Sequence, residues 1–524
     1  MGHTVLAQTN LRLPDAGALQ LQIERGRSAP WVPRSGLKGA DSVSRIPDAQ
    51  DNTTVFVRRF LFQGNTLLSS EVLTQLLQDR SLQNLSTAQL YAAAEKVRQA
   101  YADAGWMADV SLPEQDVTEG DVLLQIVEAT LGELVLLGDP QQRRNQDHIR
   151  QIFEAHHAQG AALRIQALDR ALLLVKDLPG VRIEGGLAEW TAEKPSRDVV
   201  LQVTSQAMKT ADILLDNAGA RSTGRERALA NFRLSNLTGR GDQSTLTALR
   251  TDGSTYLRGE VSWPLGYRGW RLSLYDAHLS YRLAAPEFVA SNAQGTANTL
   301  GLSASYPVLR SPLQNLFANF QVERKGFDNQ ANGATESQYK STLLGAGLSA
   351  NANDAWEGFS TASLQWVRGQ LNLNGSPTQS RDAAGAQTAG RFGKAQYSLT
   401  RVQPIASRWE AYAAFNGQWA SKNLDSSEKF TLGGENGVRA YPGSEGVGAQ
   451  GQVANLELRW RATPTDTLLG FYDWGQVTLL RDHASATALN TYALKGAGLG
   501  WSMQLPGNAR IKFSWARRIG NNPN

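Results

Sequence analysis

From Met208 onward the chain is a succession of alternating segments, apolar at every second position and separated by turns rich in Gly, Asn, Asp and Ser. A period of two places the apolar residues on one face of a β-strand. In Gln452–Arg461, Ala454, Leu456, Leu458 and Trp460 take one face, and Val453, Asn455, Glu457, Arg459 and Arg461 take the mostly polar other. Leu316, Ala318, Phe320 and Val322 alternate in the same way with Phe317, Asn319, Gln321 and Glu323. A third segment carries a dimension. Trp409, Ala411, Ala413, Phe415, Gly417 and Trp419 share a face bounded by a tryptophan at each end. At roughly 3.3 Å per residue and a tilt of about 40°, that face rises about 25 Å. This is the height of the apolar band between the aromatic girdles of a transmembrane barrel. A soluble β-sandwich also alternates but seldom keeps strands this long.

Fifteen such segments start near residues 209, 225, 242, 254, 269, 297, 312, 338, 358, 389, 408, 449, 466, 490 and 509. Composition agrees with strands that are apolar outside and polar inside: mean hydropathy is −0.35, and no run of about 18 apolar residues forms a membrane-spanning helix. The 524 residues exceed one ordinary domain, and the absence of cysteine removes disulfides and thiolate metal sites. A net charge of +4, without a basic block interleaved with aromatics, gives no footprint for nucleic acid.

Upstream the texture differs. Met1 to Gln8 is too short for a secretory signal, and residues 1–10 read as the possible remnant of one, with Val5-Leu6-Ala7 as its cleavage region. Residues 14–27 predict a short helix with Pro14 and Asp15 in its first turn and Leu19, Ile23 and Leu21 on its apolar side. Such a helix is marginal in water unless it packs on something. Residues 28–52, with Pro30, Pro33 and Pro47, read as an extended linker. Residues 53–130 form an α/β unit. Strand sequence at 55–57 and 60–62 precedes helices at 70–78 and 87–104, and strands follow at 107–112 and 122–127. Ser86 or Thr87 caps the second helix, Leu90, Ala94, Val97 and Tyr101 line its buried face, and Gly105 ends it. Residues 131–206 repeat the plan, and His156-His157 read as a surface pair with no metal partner.

The longest interruption of the alternation is Phe430 to Val447, FTLGGENGVRAYPGSEGV, too rich in glycine for a strand. It contains Gly437-Val438-Arg439-Ala440-Tyr441-Pro442, and one strand further on stands Phe471-Tyr472-Asp473-Trp474-Gly475. The first resembles the V-R-G/A-Y/F element on the sixth extracellular loop of two-partner secretion transporters, in the superfamily that also holds the barrel-assembly factors. The second resembles that family's F-x-D-x-G strand, with Phe471, Asp473 and Gly475 on one face. The α/β units, with Gly105-Trp106 and Leu112-Pro113-Glu114-Gln115, look like POTRA domains. Weaker matches are Asp216-Asn217 with Gly219, Gly239 with Gly241-Asp242, and Ser262 with Pro264-Leu265-Gly266. Arg240-Gly241-Asp242 spells an adhesion tripeptide but reads as a tight turn.

The resemblance implies two periplasmic POTRA domains (53–130 and 131–206) ahead of an antiparallel transmembrane β-barrel (207–524), with the loop at 430–447 folded into the lumen. It implies that Arg439 meets Asp473 and that residues 11–27 form a plug helix. The family has sixteen strands, an even number as bacterial barrels require, so this chain reads as lacking the last one. Two departures stand out. Ala440 replaces the more usual glycine, so a positive φ there would carry strain. Ala449 and Gln450 fall where members often have an acidic residue that tethers the loop.

No phosphate loop, H-E-x-x-H or G-x-S-x-G elbow occurs, and six scattered histidines suggest no metal or triad site. The expectation is therefore a non-enzymatic outer-membrane pore with no cofactor. By resemblance it exports an unfolded, β-helical exoprotein without nucleotide hydrolysis. The cargo, docked through the POTRA units, would be an adhesin, a haemolysin, a haem-binding protein or a contact-dependent toxin. Outer-membrane lipid and the barrel-assembly machinery are the other expected partners. A barrel-assembly factor is the alternative reading, and a passive porin or adhesin a more distant one.

Overall fold

The computed structural model describes residues 13–27, 54–138, 143–188, 195–482 and 489–520. The expected signal remnant at 1–10 and linker at 28–52 lie outside the described residues.

Two α/β units of like plan come first. In one, the strand Arg59–Gln63 pairs in parallel with Asp121–Glu128, which pairs antiparallel with Ala108–Ser111. Helices Ser70–Leu76 and Thr87–Asp103 cover the sheet. Ser86 caps the longer helix through a capping box with Gln89, and Leu90, Ala94, Val97 and Tyr101 are buried as their spacing predicts. The short pair Thr54–Val57 with Gln83–Ser86 escaped the sequence reading, because Gln83-Asn84-Leu85-Ser86 carries no β-branched or aromatic residue. In the other unit, Thr130–Gly138 pairs in parallel with Ser196–Ser205 and the latter antiparallel with Val181–Leu187, beside helices Arg143–His156 and Ile165–Lys176. The units are joined by main-chain bonds: Met107 N donates to Leu163 O (3.1 Å), Leu163 N to Ala129 O (2.7 Å) and Ile165 N to Gly105 O (3.0 Å). His157 is buried, its Nε2 accepting from Arg164 N at 3.1 Å, so it closes a helix end and is no surface residue.

The rest is one antiparallel sheet of fifteen strands in sequence order. They are β1 (Lys209–Asp216), β2 (Arg227–Ser235), β3 (Gln243–Arg250), β4 (Ser254–Leu265), β5 (Trp270–Arg282), β6 (Gln294–Arg310), β7 (Gln314–Ala331), β8 (Ala334–Asn353), β9 (Phe359–Asn372), β10 (Gly390–Ala406), β11 (Trp409–Ala420), β12 (Gln450–Arg461), β13 (Asp466–Thr478), β14 (Thr491–Gln504) and β15 (Arg510–Arg518). Every start lies within about four residues of its expected position, because period-two patterning is strong in strands this long. Among the described residues, β1 pairs only with β2 and β15 only with β14. Leu456, Leu458, Phe320, Val322, Trp409 and Trp419 are exposed on the outer face. Trp409 stacks on Trp460 and Trp366 on Trp419, as at two girdles.

Short turns at one end of the sheet rest on the second α/β unit. Arg310 at the end of β6 forms a two-pronged ion pair with Asp177 (2.8 Å for each bond). Arg170 donates to Pro307 O at 2.6 Å. Asn236 donates to Asn145 Oδ1 at 2.9 Å. The Arg240-Gly241-Asp242 tripeptide is part of such a turn: Asp242 accepts from Leu237 N and Thr238 N, and Gly241 at φ +79° lies against Leu178. The tripeptide is thus occupied in holding domain to sheet.

Candidate functional site

The connection between β11 and β12 turns back along the inner face of the sheet. Its two limbs pair at the root, Phe430 with Gly448 and Thr431 with Val447. Further in, the loop is compact. Val438 N donates to Leu432 O (2.7 Å), Tyr441 N to Val438 O (3.0 Å) and Gly434 N to Tyr441 O (2.9 Å). Glycine is required at two crossings: a Cβ on Gly437 would stand 2.0 Å from Leu432 O, and one on Gly433 2.0 Å from Pro442 O. Val438 and Tyr441 bury themselves with Phe430 and Leu432 against Val453, Val477, Tyr492 and Leu494 of the wall. Pro442 is exposed, and its carbonyl accepts from Glu445 N at 3.0 Å.

This packing aims Arg439 at the wall. Its Nε donates to Asp473 Oδ2 (2.9 Å), its Nη2 to Oδ1 (2.7 Å), and its main-chain N also to Oδ2 (3.0 Å). Asp473, on β13, has no exposed surface, and Asn455 Nδ2 completes its set at 2.8 Å. Each carboxylate oxygen therefore accepts two donors. The guanidinium lies over the Phe471 ring, 3.6 Å from its centroid, a cation–π arrangement of the kind worth most when desolvated. Gly475 must stay small, since a Cβ there would lie 2.9 Å from Leu432 Cδ2. The motif residues and the wall residues thus form one contact.

The expected strain at Ala440 does not occur, because Ala440 has no positive φ. Its methyl is accommodated from the other side: a Cβ on Gly496 of β14 would stand 2.8 Å from it. The loop is tethered without an acidic residue at 449 or 450, through Gln418 of β11, whose Nε2 donates to Glu428 O (2.9 Å) and to Ala449 O (3.1 Å).

Sequence reasoning missed a second anion. Glu457 accepts from Arg439 Nη1 at 2.6 Å through Oε1 and from Arg459 Nη2 at 2.7 Å through Oε2. Arg459 in turn reaches Glu410 at 2.9 Å. The signal was present: Glu457 shares the inner face of β12 with Asn455, which is in register with Asp473. Reading it required the strand register.

Helix α1 (Ala16–Arg27) lies on the same inner face. It begins later than expected. Pro14 and Asp15 precede it, and Asp15 is the cap, its Oδ1 accepting from Ala18 N at 2.8 Å. Leu19 is buried and Ile23 packs beside it in a cluster with Tyr256, Leu279, Tyr281 and Phe327 of the wall, whereas Leu21 is not part of that cluster. Polar contacts reach several strands: Ala16 N to Asn329 Oδ1 (2.8 Å), Gln20 Nε2 to Thr299 Oγ1 (2.8 Å), and Glu24 to Tyr256. The wall also folds round to the loop from β2, where Arg227 lies 3.8 Å from Glu435.

α/β units leading into a girdled antiparallel sheet, with a loop and a helix on its inner face, define a POTRA-bearing outer-membrane β-barrel. The family described as haemolysin secretion/activation protein ShlB/FhaC/HecB matches residues 196–503, and the ShlB-type POTRA domain matches residues 55–129. The chain belongs to this family of two-partner secretion transporters, which places it in the outer membrane of a Gram-negative bacterium with its POTRA domain in the periplasm. It is 22% identical to the heme/hemopexin transporter protein HuxB of Haemophilus influenzae (strain 86-028NP), over 97% of this chain and 92% of the relative. It is 24% identical to the outer membrane transporter CdiB of Dickeya dadantii (strain 3937), over 82% of this chain and 77% of the relative. Among solved structures, CdiB from Escherichia coli shares the fold with a TM-score of 0.72 at 18% identity, covering 98% of this chain and 97% of that one. BamA from Haemophilus ducreyi, lacking POTRA domains 1–3, does so at 0.51 and 15%, covering 90% and 97%.

Proposed function

We propose that the protein takes an unfolded exoprotein from the periplasm, receives it on POTRA units at 53–130 and 131–206, and threads it through the barrel with no catalytic step of its own. Residues 11–27 act as the plug, and the Arg439–Asp473 clasp holds the re-entrant loop in its working position. A lumen lined with polar groups suits an extended chain, because exposed main-chain groups find water and side-chain partners there. With no nucleotide site in the sequence, folding of the cargo outside the cell gives the movement its direction. The observation that carries this reading is α1 seated on the inner wall beside the clasped loop, where it occupies the path a cargo would take. The near full-length likeness to a heme/hemopexin transporter makes a haem-handling exoprotein the first cargo to test.

Planar-bilayer recording tests the plug. The intact chain is expected to show small, flickering conductance, and deletion of residues 11–27 to raise it several-fold. Equal conductance of the two proteins would remove the plug from the mechanism.

A further inference from the structure

The root of the loop contains a buried charge cluster that neither the clasp nor the plug reading uses. Glu428 sits in a single 3₁₀ turn, Ser426–Glu428, just before the loop enters the lumen, and is 2% exposed. Lys325 of β7 donates to its Oε1 at 2.9 Å and Lys394 of β10 meets its Oε2 at 2.8 Å. Lys325 also reaches Glu323 at 3.3 Å. Two ammonium groups and two carboxylates thus close a neutral cluster between a connecting segment and two separate strands of the wall.

The segment so anchored is the seat of α1. On one side of Glu428, Ser426 Oγ donates to Asp15 Oδ1 at 2.8 Å, the carboxylate that caps α1. Gly17 permits this approach, since a Cβ there would lie 2.8 Å from Ser426 Oγ and 3.0 Å from Ser427 Cβ. On the other side, Arg25 donates to Thr431 O at 3.0 Å and covers the Phe430 ring at 4.7 Å. Thr431 and Phe430 are the same residues that pair with Val447 and Gly448 to close the loop. Both ends of the helix therefore rest on residues flanking Glu428, and the loop springs from one of those flanks.

We infer that Glu428 is a positioning residue, a single anchor on the barrel wall that seats both α1 and the root of the re-entrant loop. Its consequence is directional. Helix contacts lie on the rim of the anchor, so α1 can leave without releasing the loop, whereas loss of the anchor loosens both. The inference rests on α1 and the loop being the working parts of the proposed function, but its test reads their seating and not their role in export.

The chain has no cysteine, so single reporters are clean. Ala16→Cys reads α1 and Val438→Cys reads the loop; both parent residues are fully buried. Thiol labelling of each is followed in purified full-length protein, with heat-modifiable electrophoretic mobility as the check on barrel assembly. Glu428→Gln leaves two buried ammonium groups short of a partner, and is expected to speed labelling of both reporters by more than about tenfold. Arg25→Ala is expected to speed only the Ala16→Cys reporter. Gln418→Leu, which removes no charge, loosens the loop root and serves as the second variant should Glu428→Gln fail to assemble; it is expected to speed the Val438→Cys reporter. Parental labelling of both reporters in Glu428→Gln, or of the loop reporter in Gln418→Leu, overturns the inference. So does loop exposure in Arg25→Ala. Conductance of the residue 11–27 deletion is a separate measurement, so failure of the plug reading is distinguishable.

Discussion

Replacing Asp473 by asparagine separates the clasp from bulk and from folding. The side chain is nearly isosteric, yet each oxygen of Asp473 accepts two donors: Arg439 N and Nε on Oδ2, Arg439 Nη2 and Asn455 Nδ2 on Oδ1. Whichever way the new amide turns, its NH2 group faces two donors and the ion pair is lost. Breaking a fully buried pair costs about 3–5 kcal/mol. Arg439 retains some contact with the lumen, so the lower figure of about 2–3 kcal/mol applies here. That weakens seating of the loop by about 30- to 150-fold. Secretion of the cognate exoprotein is measured by immunoblot of the medium, normalised to the barrel present in outer membranes. Asp473→Asn and Arg439→Ala should both cut export severely while heat-modifiable mobility stays normal. Normal export by both variants at normal protein level would refute the reasoning.

Three further outcomes follow from close contacts. Gly496→Val should imitate loss of the clasp, because its side chain meets the Ala440 methyl 2.8 Å from the new Cβ; adding Ala440→Gly should restore export, and no rescue would count against the contact. Gly17→Leu should push α1 from its seat and bring conductance toward that of the residue 11–27 deletion, read in planar bilayers. Arg310→Ala should remove the two-pronged bond to Asp177, weaken docking of the second α/β unit by about 2 kcal/mol, and broaden spin-label distances between that unit and the barrel. An unchanged distribution would show that the other turn contacts suffice.

The wall was legible because its signal is periodic: β11 could be placed, and given a height, from its own residues. The clasp was legible because Arg439 and Asp473 each sit in a recognisable local motif. Glu457 was placed on the inner face but not matched to Arg439, since that match depends on the β12–β13 register. Lys325, Lys394 and Glu428 were invisible. They are separated by 103 and 34 residues along the chain, and nothing local to any of them announces a partner. The same holds for Gln418, whose two bonds replace the acidic tether that position 449 or 450 lacks. For α1, the spacing of Leu19 and Ile23 was informative, but Leu21 was not. A cap such as Asp15 is fixed by hydrogen bonds that composition at Pro14-Asp15 indicates only to within a residue.

The central claim is that this barrel exports a partner protein. Its most direct measurement is the appearance of that partner, the large exported protein encoded beside it, at the surface or in the medium of a Gram-negative host supplied with both genes. We predict export that depends on the intact chain and falls sharply with Asp473→Asn. Partner retained in the periplasm beside a correctly assembled wild-type barrel would contradict the account.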